Sequence, residues 1–90
     1  MDSKKEKLKF NKSIGKYIHQ RRMSMGLTQA NCAKRMNVHP QFYYAVEKGR
    51  IGCPFPILQA LVKELKLERK KIEAIYKEYW GCLIDLLFRT

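Results

Sequence analysis

Residues 27–49, LTQANCAKRMNVHPQFYYAVEKG, constrain this chain most. Their punctuation leaves room for two short helices and a tight turn. Gly26 closes whatever helix precedes them, because glycine is the usual residue just past a helix end. Thr28 is a good N-cap for the next. Ala30, Cys32, Ala33 and Met36 give that second helix a small apolar face. Asn37 tolerates the left-handed backbone a tight turn requires. Val38 follows as the apolar residue that pins the turn to a core. His39 and Pro40 open a third helix, with proline at the first position, where a missing N–H costs nothing. That helix runs to Lys48 and stops at Gly49. Two short helices joined by a turn of about four residues make a helix-turn-helix. Ala33 is the small residue such a crossing needs, and Val46 holds the third helix down from its far end.

The flanking chain reads as helix too. Ile14, Tyr17, Ile18, Arg21 and Met25 fall on one face of a first helix, with Ser13 as its N-cap. Residues 49–56, GRIGCPFP, hold two glycines and two prolines and read as a loop. Leu58, Leu61, Val62 and Leu65 place a fourth helix over 57–65. Ile72, Ile75, Tyr76, Tyr79, Leu83, Ile84 and Leu87 form a helical stripe over 68–88, weakened or kinked at Gly81. No strand pattern and no internal repeat occur. The expectation is an all-α fold: a compact four- to five-helix domain over 13–67, an extended C-terminal helix over 68–90, and a flexible basic arm over 1–12. The arm has two readings, a solvated tail or a segment lying on phosphates or in a minor groove.

Charge narrows the partners. The 90 residues carry 19 Lys and Arg against 8 Asp and Glu, a formal +11. Residues 1–50 hold 12 basic and 3 acidic side chains, and residues 51–90 hold 7 and 5. A basic first half points to a polyanion, unless it is only a solvated, lysine-rich surface. Cys32, Cys53 and Cys82 are widely spaced, and neither His19 nor His39 stands at ligand spacing to them, so no metal is expected. Free thiols suit a reducing compartment, and the cytoplasm is expected. The charged N-terminus has no apolar signal core. The longest apolar stretch, 81–88, is far short of the roughly 20 residues that span a bilayer, so no membrane is expected.

Arg21-Arg22, Gly26-Leu27-Thr28-Gln29, Ala33, Asn37-Val38, Glu47-Lys48-Gly49-Arg50 and Leu65-Lys66-Leu67 stand in one register. In that register residues 14–67 resemble the phage repressor and Cro family of helix-turn-helix domains, also called the XRE family. The resemblance implies a lambda-repressor-like fold that binds double-stranded DNA with its third helix in the major groove. It implies that Pro40, Gln41, Tyr44 and Ala45, with His39, face that groove. It implies phosphate contacts for Gln29, which would also buttress the third helix, and for Lys48 and Arg50. It implies a buried ion pair between Arg22 and Glu47. The chain departs from the family at His39 and Phe42, where Ser or Thr is usual, and at Tyr43, where Ile is usual. Of the three consecutive aromatics, register sends Tyr43 inward and leaves Phe42 at a sugar-phosphate edge or a thymine methyl.

The side-chain chemistry agrees in part. Glutamine pairs bidentately with adenine, and Gln41 is placed to do so. For His39, a helix cap and a phosphate contact are both open. The C-terminal stripe has three readings: cover for the chain's own core, a dimer seam, or a protein-binding face. Ile72, Tyr76, Tyr79, Trp80, Leu83 and Leu87 are the interface candidates, and a homodimer is expected from so much apolar surface. Nothing resembles a nucleophile with its base, a metal cluster or a phosphate loop, so neither an enzyme nor a cofactor is expected. The functional expectation is a sequence-specific DNA-binding regulator on a partly palindromic operator. The alternative is a protein-interaction module, antitoxin-like or co-regulatory, that uses the aromatic third helix and the C-terminal helix.

Overall fold

The computed structural model describes residues 3–79. These residues form five helices, α1 Ser3–Ser24, α2 Gln29–Met36, α3 Pro40–Glu47, α4 Phe55–Glu64 and α5 Arg69–Tyr79. No strand occurs among the described residues.

Local chemistry explains the central boundaries. The Thr28 side chain accepts from the Asn31 backbone N–H at 3.0 Å, and the Asn31 side chain accepts from the Thr28 N–H, a reciprocal cap that starts α2. Asn37 ends α2 in the left-handed region, φ 57°. Its N–H and that of Val38 then bond back to the Lys34 and Ala33 carbonyls. His39 caps α3 by accepting the Gln41 N–H at 3.1 Å, with Pro40 in the first turn. At the other end of α3, Gly49 takes φ 73°, and the Arg50 N–H bonds to the Ala45 carbonyl at 3.0 Å. That closure leaves the chain leaving α3 in one defined direction.

The core gathers where all five helices meet. Ile18, Leu61, Leu65, Ile72 and Ala33 have no exposed surface, and Tyr43, Val46, Cys32 and Leu58 almost none. Each buried aliphatic side chain contributes on the order of 1.5–3 kcal/mol. Tyr43 faces inward, as register requires. Arg21 ties the end of α1 to the Leu65 carbonyl at 3.2 Å. The Tyr17 hydroxyl accepts the Glu68 N–H at 2.7 Å, which seats the start of α5 on α1.

Three expectations change. The segment expected as a flexible arm over 1–12 is, from Ser3 on, the first half of α1, so the boundary at 12/13 falls inside a helix. The reason lies far along the chain: Phe10 packs edge-on against Tyr76 with ring centroids 4.9 Å apart. The fourth helix begins two residues early, at Phe55, because Pro56 fits a first turn as well as a loop. Ala30, expected on the apolar face of α2, is exposed. The last helix is described to Tyr79. Gly81, Trp80, Leu83, Ile84 and Leu87 lie outside the described residues.

Candidate nucleic-acid interface

α3 is fixed from beneath by one carboxylate. Glu47, its last residue, is 5% exposed and receives hydrogen bonds from three side chains on two other helices. Arg22 donates Nε to Oε2 at 3.0 Å and Nη2 to Oε1 at 2.7 Å, a bidentate pairing, and Nε also reaches Oε1 at 3.3 Å. The remaining Arg22 nitrogen reaches the Leu27 carbonyl at 2.8 Å. His19 donates from Nδ1 to Oε1 at 2.5 Å, and the Gln29 amide adds a longer contact at 3.4 Å. Burial works against the ionised carboxylate, but the hydrogen bonds from Arg22 and His19 outweigh it and hold Glu47 down at about 2. The same pairing raises Arg22 above its ordinary value. Both members are therefore charged across the physiological range, and α1, α2 and α3 share one electrostatic knot.

Backbone packing tightens this knot. Gly15 of α1 lies against the carbonyls that end α3, where a methyl group would stand 2.8 Å from the Val46 oxygen. The Tyr43 phenol projects into the same region. Burial, with Cys32 and Glu47 beside it, keeps it protonated, and its hydroxyl has no hydrogen bond of acceptable geometry.

On the outer side, α3 presents His39, Pro40, Gln41 and Tyr44 to solvent, with Ala45 half-buried. The His39 imidazole is engaged as the cap of its own helix. Tyr44 carries two cations on its ring: Lys48 Nζ lies 5.6 Å from the centroid and the Arg50 guanidinium 5.4 Å. Such contacts hold long basic side chains near a chosen spot. The end of α3 thus gathers a phenol and two positive charges on one exposed surface. Gln29 is half-buried at the first turn of α2, beside a surface recess of about 480 Å³ lined by Arg22, Gly26, Leu27 and Thr28.

Compared with protein-family models, curated proteins and solved structures, the chain matches none. The site must therefore be read from its own residues. Pro40, Gln41 and Tyr44 share one exposed face with Lys48 and Arg50. Phe42 does not join them fully, for it is half-buried and packed against the core, which leaves only an edge for a sugar or a methyl group. Ile72, proposed for an interface, is wholly buried in the chain's own core, and Tyr76 is half-buried against Phe10. Trp80, Leu83 and Leu87 lie outside the described residues, as does the Tyr79 side chain. Sequence reasoning missed His19 as a Glu47 partner. Its spacing three residues before Arg22, one turn along the same helix face, was the available signal.

Among the described residues, no group of three His, Cys, Asp or Glu side chains could hold a metal ion, and no helix is long and apolar enough to cross a membrane. What the exposed face of α3 offers is hydrogen bonding from an amide and a phenol, and positive charge beside them.

Proposed function

We propose that this chain is a sequence-specific DNA-binding regulator, similar to the phage repressor and Cro family, that inserts α3 into the major groove and performs no catalysis. The observation that carries this reading is the outer face of α3. Gln41 and Tyr44 stand one turn apart on it, both exposed, and Lys48 and Arg50 lie over the Tyr44 ring. An amide that pairs with adenine and a phenol that donates to a base edge supply readout. Two cations at the helix end supply phosphate contacts that set register. The buried knot at Glu47 supports the reading, because base discrimination needs a helix that does not rock. In this proposal two copies bind a partly palindromic site in the cytoplasm, with half-sites roughly 34 Å apart.

The protein-interaction alternative drew on three aromatics in a row on α3. Tyr43 is buried and Phe42 half-buried, so only Tyr44 of the three is exposed, and the support that remains falls to residues outside the described ones.

Selection of bound sequences from a random duplex library tests the proposal. Enrichment of a two-fold-related motif is the expected result. Gln41→Ala and Tyr44→Ala should each relax preference at one position by about 1–3 kcal/mol. Flat enrichment, with both variants binding like the parent, would overturn it.

A further inference from the structure

The first half of α1 is helical, so its lysines fall in a regular register. Lys5, Lys9, Lys12 and Lys16 follow one another at spacings of four, three and four residues. At 3.6 residues per turn they fall within about 60° of one another, a single stripe along the helix. All four are exposed, and none makes an ion pair with another described residue. Lys7 is also exposed but falls roughly on the opposite side of the helix.

The stripe meets the end of α3. Gly49 sits so close to α1 that a methyl group on it would be 2.6 Å from the Lys12 Cα. Lys48 and Arg50, on either side of Gly49, are the cations gathered at Tyr44. Positive charge therefore continues from the outer face of α3 along α1. Between residues 7 and 50, the stretch that holds Lys9, Lys12, Lys16, Lys48 and Arg50, the one acidic side chain is Glu47, buried and paired.

We infer that Lys5, Lys9 and Lys12 form a helical rail that binds the phosphate backbone of duplex DNA beyond the stretch contacted by α3. The inference rests on the proposed reading of α3 and adds a second contact surface to it. It names a fixed geometry, a row of charges about 5–6 Å apart per turn carried on a helix. A flexible tail would use Lys7 as readily as Lys9, and a rail does not.

The test is duplex binding by the full chain as a function of salt, with the selected site alone and with the same site flanked by a further turn of random sequence on each side. Each phosphate contact adds about 0.9 to the slope of log K against log salt. The triple variant Lys5→Gln/Lys9→Gln/Lys12→Gln should lower that slope by about 2–3 on the long duplex, and little on the short one. Its preference for the selected site over random DNA should be unchanged, and Lys7→Gln should behave as the parent. Equal slopes for the triple variant and the parent on long duplexes overturn the rail. So does an equal loss from Lys7→Gln, which would mean a diffuse tail. If the triple variant instead loses binding only to vesicles containing phosphatidylserine, the stripe is a membrane surface and the inference fails. A parent that binds no duplex at all indicts the reading of α3 itself.

Discussion

Glu47 decides more than any other single residue. Its neighbours stabilise the ionised form, so its folded value of about 2 lies below the ordinary 4.5. A depressed carboxylate contributes stability that is present in full above the unfolded value and is lost as pH falls through the folded one. The expected window of loss runs from about pH 4.5 down to about pH 2, and the contribution is about 3 kcal/mol. Urea unfolding across that range should show it. Glu47→Gln should lose about 3–5 kcal/mol at pH 7, because Arg22 is left charged and buried, and should flatten the acid limb. A variant that unfolds with the parent's midpoint and acid limb would refute the role given to this knot. The Arg22–Glu47 pair is legible in sequence only through the family resemblance. His19 leaves only its spacing from Arg22 as a trace and Gln29 only the resemblance, and their convergence on one Glu47 oxygen depends on where three helices cross.

At the scale of the element, the turn between α2 and α3 was the easiest part to foresee. Thr28, Asn37, His39 and Pro40 each carry a backbone preference of their own, and the structure uses each where that preference applies. The start of α1 was the hardest. A lysine-rich segment has little to bury by itself, and the Phe10–Tyr76 contact that anchors it joins residues far apart in the chain. The meeting of α1 with α3 also hides behind a residue with no side chain. Gly15 costs helix propensity of about 1 kcal/mol relative to alanine, and the fold accepts that cost because the α3 carbonyls occupy the space. Gly15→Ala should therefore destabilise the domain by on the order of 1–3 kcal/mol despite the better propensity. A thermal melt decides the sign. A higher melting temperature would show that α1 and α3 have room between them.

At the scale of the whole molecule, α1 sets the length. Its 22 residues rise about 33 Å, nearly the full 37 Å extent. α3 and α5 pack directly against this rod, α2 packs on α3 and α4 on α2, and the proposed reading helix meets the rod near its middle. The apolar part of α5 that is described, Ile72, Ile75 and Tyr76, covers the chain's own core, so the first of the three readings of the C-terminal stripe holds for those residues.

The enclosure of Glu47 has a consequence for the solvent around the protein. Residues 7–50 keep their one carboxylate inside, so their own side chains offer dissolved cations no exposed carboxylate, while dissolved anions meet their lysines and arginines. The free protein should therefore distinguish electrolytes by their negative member. At matched ionic strength, magnesium chloride should leave its melting temperature where sodium chloride does. Sulfate at a few millimolar, far below the level at which exclusion from protein surfaces matters, should raise it by binding the folded state. Equal melting curves in sulfate and chloride would show that these cations act singly and do not share an anion.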